Sequence, residues 1–162
     1  MKNKRAKEII LYLVFGALTT AVSMATYFGI LWLGESLINI SPSESEFYYI
    51  RIVAEILQWI FAVLFAFFTN KKWVFTDADK TTSTAKQLSV FAGGRLITLA
   101  LDALVTFGTV AILQSAGYAA FSVNILITVS ITADLISKVL AAVLVVIANY
   151  FISKLFVFKK AK

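Results

Sequence analysis

Long apolar runs separated by short polar stretches organise the chain. A membrane-crossing helix needs about 20 mostly apolar residues. Four runs meet that length: from near Ile9 to Leu33, from near Tyr48 to Phe68, from near Leu88 to Leu113, and a last one ending near Val157. The start of the last run is its softest boundary, between Asn124 and Leu135, and is set near residue 131. Just before it, Ala119 to Ala133 is apolar, rich in β-branched residues and interspersed with Ser, Thr and Asn; this stretch either extends the fourth helix outward or lies along the outer interface. The pattern predicts an all-α integral membrane protein, one transmembrane domain over residues 1–162, with helices near 9–33, 48–68, 88–113 and 131–157. The basic start, Met1 to Lys7, looks like the head of a signal peptide, but the apolar run behind it is too long and lacks a clean cleavage site, so it reads as a retained helix.

Charge placement sets the orientation. Lys2, Lys4, Arg5 and Lys7 precede the first helix; Lys71, Lys72, Lys80 and Lys86 fill the middle loop; Lys154, Lys159, Lys160 and Lys162 follow the last. These 12 of the 15 basic residues fall on one side, which is the cytoplasmic side because Lys and Arg resist translocation. Both termini are therefore cytoplasmic. The loop after the first helix carries only Glu35, Glu44 and Glu46 as charges, and the one Pro, Pro42, lies there. Topology and anionic lipid head groups account for the net charge of +6, leaving no reason to invoke nucleic acid. Aromatic residues gather at the helix ends (Tyr27, Phe28 and Trp32; Phe47, Tyr48 and Tyr49; Trp73 and Phe75; Tyr150, Phe156 and Phe158), as an interfacial belt does.

Composition changes the picture only at one point. The chain is 60% hydrophobic and 15% charged, too apolar to bury itself in one small globule. There is no Cys and no His, so thiolate or imidazole catalysis and the usual zinc, haem or iron–sulfur ligands are excluded. With no sizeable loop outside the bilayer either, an enzyme is the least favoured class, and no metal or cofactor is expected.

The two halves resemble each other. With an offset of 83, Lys71 overlies Lys154, and Trp73-Val74-Phe75 overlies Phe156-Val157-Phe158. More weakly, Val14-Phe15 matches Val90-Phe91, and Phe28-Gly29 matches Phe107-Gly108. Each half is a helical hairpin, so the repeat is parallel.

Six ionisable residues fall within the helices: Arg51, Glu55, Arg95, Asp102, Asp134 and Lys138. Each costs at least about 2.5–3.5 kcal/mol at mid-membrane unless paired or hydrated. The offset of 83 places Arg51 over Asp134 and Glu55 over Lys138, with signs reversed; if the second and fourth helices pack, each pair can meet. Such groups are either structural bridges or the lining of a polar chamber open to the outside. Arg95 is expected two turns inside the third helix, with Asp102 seven residues on, on the same face and about 10 Å deeper. Arg95 can hold a lipid phosphate through its planar fork, or pair with Asp102 through a water or with another helix. Gly93-Gly94 before it suggests close approach of another backbone, and Gly16, Ala17, Ala21, Ala25 and Gly29 read as a helix-packing stripe.

The tandem motif Asn70-Lys71-x-Trp73-Val74-Phe75 and Asn149-Tyr150-x-x-Ser153-Lys154-x-x-Val157-Phe158, on four helices in two pairs, resembles the GtrA-like family over nearly the whole chain. The second copy is the more specific, since Ala66 stands where the second has Asn149. The family consists of small membrane proteins of cell-surface polysaccharide synthesis, associated with O-antigen glucosylation, teichoic acid glycosylation and arabinogalactan assembly. The resemblance implies a prokaryotic cytoplasmic-membrane protein, a partner glycosyltransferase that makes a polyprenyl-phosphate sugar, and flipping of that lipid-linked sugar to the outer leaflet. It supplies no catalytic residues, only the motif positions Asn70, Lys71, Asn149, Tyr150, Ser153 and Lys154. A route for the head group then follows: Lys71, Lys154 and Arg95 offer positive charge on the inner side, and Arg51 and Lys138 on the outer, each of the latter beside a carboxylate. The alternative is a non-catalytic partner that docks the glycosyltransferase without moving lipid. A proton-coupled small-drug exporter would need a deep carboxylate, for which Asp102 is the one candidate, and its length and motifs do not match. A homodimer would enlarge the groove wall, though the sequence does not require one.

Overall fold

A computed structural model of the chain describes residues 2–37, 47–79, 81–124 and 128–159. Pro42, Glu44, Glu46, Lys80, Lys160 and Lys162 lie outside the described residues. Among the described residues, four helices are long and apolar enough to cross a membrane. They are α1 (Lys2–Leu37), α2 (Phe47–Thr69), α3 (Thr84–Ser115) and α4 (Ala133–Ile152). Most of their apolar side chains face outward, with Phe107 and Leu104 about three-quarters exposed, as expected where lipid rather than protein is the solvent.

Each helix starts or stops where local chemistry dictates. α1 begins seven residues before the predicted Ile9, because Lys4 reaches back to Asp77 at 2.6 Å and carries the polar first turns along the loop after α2. α3 begins at Thr84 because the Ser83 hydroxyl caps the Lys86 amide at 3.3 Å. It ends in a Schellman turn: Gly117, at φ 74°, lets its own amide reach the Gln114 carbonyl and the Tyr118 amide reach Leu113. α4 begins at Ala133 because Thr132 caps the Leu135 amide at 3.1 Å.

The stretch before α4 corrects one expectation. It does not extend the helix; it forms a two-stranded antiparallel hairpin, β1 (Phe121–Asn124) with β2 (Thr128–Ile131), in the register Phe121 to Ile131 and Asn124 to Thr128. Its β-branched residues suit a pleated strand better than a helix. The Tyr118 hydroxyl donates to the Ile131 carbonyl at 3.0 Å and ties the hairpin to the end of α3.

The contacts divide the chain into two compact units, Met1–Lys80 and Thr81–Lys159. Each is a helical hairpin, α1 on α2 and α3 on α4. Both α2 and α4 end in a π-helical turn, Asn70–Val74 and Ser153–Val157, so the offset of 83 extends from sequence to backbone geometry. Each turn closes with the same 2.8 Å bond, from the Phe75 amide to the Asn70 carbonyl and from the Phe158 amide to the Ser153 carbonyl. Each then buries its Val-Phe pair, and the two rings meet equivalent partners: Tyr12 lies 6.3 Å from Phe75, and Phe91 6.1 Å from Phe158. Tyr12 and Phe91 are 79 apart, which agrees with the Phe28-Gly29 match and replaces the Val14-Phe15 match.

Two packing expectations also change. Gly94 sits against a side chain, not a backbone: a Cβ there would lie 2.6 Å from the Ile152 methyl, whereas Gly93 has open space. Among the described residues of its own unit, the α1 stripe is not a packing seam. Gly16, Ala17, Ala21 and Ala25 are exposed, and neither Gly16 nor Gly29 has a neighbour within 4 Å of its Cβ position.

Candidate functional site

Polar side chains collect in two places in each unit: at the π turn and near the middle of the helices. The π turns present the motif residues. A π turn widens the backbone by one residue and shifts the side chains around it, a feature often found at functional sites. Lys71 lies over the Phe67 ring at 5.7 Å. Lys154 lies over Tyr150 at 5.0 Å and donates to its hydroxyl at 2.7 Å. In both cases an aromatic ring one turn back holds the ammonium at the helix wall. Asn70 is buried, and its side-chain carbonyl oxygen finds no hydrogen-bond donor among the described residues. Ser153, its counterpart in the second repeat, is equally buried.

In the second unit, Arg95 stands about three turns inside α3, a turn deeper than expected because α3 starts at Thr84. Its guanidinium lies 4.9 Å from the centre of the Phe91 ring, itself packed against Phe158 of the second π turn. One turn on, Thr98 donates to the side-chain carbonyl of Asn149 at 2.9 Å, a buried bond joining α3 to α4. This assigns Asn149, a motif residue, a definite role: it locks the two helices beside Arg95. Deeper still, Lys138 meets Asp102 at 3.3 Å, with the lysine side chain 61% exposed. Lys138, expected opposite Glu55, thus finds its carboxylate on the neighbouring helix of its own hairpin.

The other intramembrane charges also have local partners. The Glu55 carboxylate accepts from the Gln58 amide, and Gln58 accepts from Ser23 of α1 at 2.9 Å. Arg51 lies over the Phe47 ring at 5.5 Å. Asp134 stands in the first turn of α4, where the helix dipole favours a negative charge. Among the described residues no group of carboxylates, His or Cys forms a metal site.

Sequence reasoning overlooked Thr98, Ser23 and Gln58, because it weighed only ionisable residues in the apolar runs. The signal was present: an uncharged polar residue in a lipid-spanning helix needs a partner as well.

The model of the family described as GtrA/DPMS, transmembrane domain, matches residues 11–158. The chain is 29% identical over 156 residues to the cell wall teichoic acid glycosylation protein GtcA of Listeria monocytogenes serovar 1/2a, covering 96% of this chain and 87% of that one. It is 31% identical to the GtcA of Listeria innocua serovar 6a with the same coverage. It is 28% identical over 153 residues to the uncharacterized membrane protein YwcD of Bacillus subtilis strain 168, covering 94% and 97% of the two chains. The motif at both π turns, the four spans and the match over most of the length agree: the chain belongs to the GtrA/DPMS transmembrane-domain family.

Proposed function

We propose that the protein translocates a polyprenyl-phosphate-linked sugar across the prokaryotic cytoplasmic membrane for cell-surface glycosylation, without catalysing a covalent step. The observation that carries this reading is the Lys138–Asp102 pair, held between two apolar helices with its ammonium largely exposed. A purely structural anchor in lipid is cheaper without such a pair. The relatives named for teichoic acid glycosylation support the same area of biology.

The lipid has an anionic phosphate, a polar sugar and a long apolar tail. In this reading Lys71 and Lys154 attract the phosphate at the inner face, and Arg95 takes it at depth through its planar fork. Arg51 and Lys138 receive it in the outer half. Asp102 competes for Lys138, so the phosphate is not held too tightly to leave. The partners are membrane lipid, the lipid-linked sugar and the glycosyltransferase that makes it.

The test is lipid scrambling in proteoliposomes loaded with polyprenyl-phosphate sugar and probed with membrane-impermeant periodate or lectin. Protein-dependent exposure of the inner pool, lost in Arg95→Ala and Lys138→Ala, is expected. Exposure that survives both changes overturns the route. No exposure above empty liposomes, with folded protein, moves the assignment to a docking partner of the glycosyltransferase.

A further inference from the structure

In the first unit, Ser23, Gln58 and Glu55 form a hydrogen-bonded chain from α1 to α2. The Ser23 hydroxyl donates to the Gln58 carbonyl at 2.9 Å, and the Gln58 amide donates to one Glu55 carboxylate oxygen. Counted from the outer helix ends, Ser23 lies about 21 Å down α1, Gln58 about 16 Å down α2 and Glu55 about 12 Å down α2. Both helices are long and apolar enough to cross a membrane, and the cluster lies between the ends of both spans.

The cluster is incompletely satisfied. An amide carries two donors and a carboxylate accepts on two oxygens. One Glu55 oxygen finds no partner among the described residues, and Glu55 forms no ion pair there. Glu55 is exposed and the other two partly so, leaving the free donor and acceptors accessible from outside the protein.

The repeat serves as an internal control on why these groups are present. The equivalents of Ser23, Glu55 and Gln58 in the second unit are Asp102, Lys138 and Ala141. Ala141 is fully buried, so the same helix contact closes with a methyl group. Hairpin packing therefore does not require an amide at Gln58. The second unit places a self-neutralised ion pair at this level, while the first places a hydroxyl, an amide and an unneutralised carboxylate. The first set suits a ligand that both donates and accepts hydrogen bonds and carries no negative charge of its own: a polyol.

We propose that Ser23, Glu55 and Gln58 recognise the polyhydroxylated head of a lipid within the membrane, the sugar rather than the phosphate. The identity of that lipid as a polyprenyl-phosphate sugar rests on the function proposed above. The carboxylate accepts hydrogen bonds from sugar hydroxyls, the amide donates to a sugar oxygen, and the negative charge repels the phosphate from this position.

The test is binding to the full chain in phosphatidylcholine nanodiscs. The probes are polyprenyl phosphate bearing glucose, galactose or N-acetylglucosamine, against bare polyprenyl phosphate. Wild type is expected to bind at least one sugar form about tenfold more tightly than the bare lipid, the worth of one or two hydrogen bonds to a charged group. Gln58→Leu is expected to erase that preference while leaving bare-lipid affinity in place, and the milder Glu55→Gln to reduce it. No preference for any sugar, or a preference intact in both variants, overturns the proposal. Equal weakening of sugar and bare lipid in both variants also overturns it, since the cluster then only positions helices. Preference lost when phosphatidylglycerol replaces phosphatidylcholine gives the site to the glycerol head group and overturns the sugar assignment. Preference present without scrambling sinks the flipping reading alone, and scrambling without preference sinks this one alone.

Discussion

Two adjacent glycines in α3 give a sharp test of how its hairpin is held. A Cβ on Gly94 would sit 2.6 Å from the Ile152 Cγ2 methyl, about 1 Å inside ordinary carbon–carbon contact. Ile152 cannot swing aside, because a β-branched side chain in a helix has one strongly preferred χ1 rotamer. The helices must then separate, beside the buried Thr98–Asn149 bond. Gly93 meets nothing within 4 Å. Gly93→Ala and Gly94→Ala gain the same helix propensity, about 1 kcal/mol. Their difference therefore isolates the clash, at about 1–3 kcal/mol for one inserted methyl group in a packed site. Gly93→Ala is expected to match or exceed wild-type stability, and Gly94→Ala to fall below it, in thermal unfolding followed by tryptophan fluorescence in detergent. Ile152→Ala removes the obstructing methyl and should bring the two alanine variants back together. If Gly94→Ala is as stable as Gly93→Ala, or if Ile152→Ala does not close the gap, the close contact is wrong.

Further outcomes follow from the same geometry. Thr98→Val leaves the buried Asn149 carbonyl without its donor and is expected to cost about 0.5–2 kcal/mol of unfolding free energy, with Thr98→Ser nearly neutral. A double-mutant cycle with Lys138→Met and Asp102→Leu should give a favourable coupling of about 0.5–1.5 kcal/mol, modest because the lysine is largely exposed. Gly117→Ala is expected to destabilise by about 1 kcal/mol, and Gly117→Asn by less, because φ 74° is a left-handed conformation that Asn tolerates better.

The spans were legible in the sequence because lipid demands an unbroken apolar run, and that demand leaves a long signal. Helix starts were less so: Ser83 and Lys4 extend α3 and α1 into polar sequence that hydropathy alone discards. The β hairpin was hidden because Ala119 to Ala133 is apolar enough for a helix, and only its β-branched content argued otherwise. Of the candidate site, the lysines of the π turns were visible as a repeated motif, but their backbone was not. A π turn has no hydropathy signature; the motif reads as an ordinary helix end until the Phe75 and Phe158 amides are seen to bond five residues back. The partner of Lys138 was missed for a simpler reason. The repeat alignment drew attention to a carboxylate on the other hairpin and away from Asp102 on its own.

That last distinction bears on mechanism. The two halves keep the same frame where shape matters: a π turn, a buried Val-Phe pair, and a ring on the preceding helix to receive it. They diverge in the polar residues nearer the middle of the helices. Ser23 stands for Asp102, Glu55 for Lys138, and Gln58 for Ala141. Had Gln58 served only to hold its hairpin together, the alanine that is buried at the equivalent position of the second unit, Ala141, would have been the cheaper choice in lipid. One frame thus carries two chemically different polar sets, an ion pair in one unit and a hydroxyl, an amide and a carboxylate in the other. In the functional reading proposed above, the basic residues Lys71, Lys154, Arg95, Arg51 and Lys138 serve the phosphate, and the Ser23, Gln58 and Glu55 cluster serves the sugar. If Lys138→Ala impairs bare polyprenyl phosphate as much as its sugar form, while Gln58→Leu impairs the sugar form alone, the separate phosphate and sugar roles hold. If both variants fail on both lipids alike, the asymmetry belongs to packing.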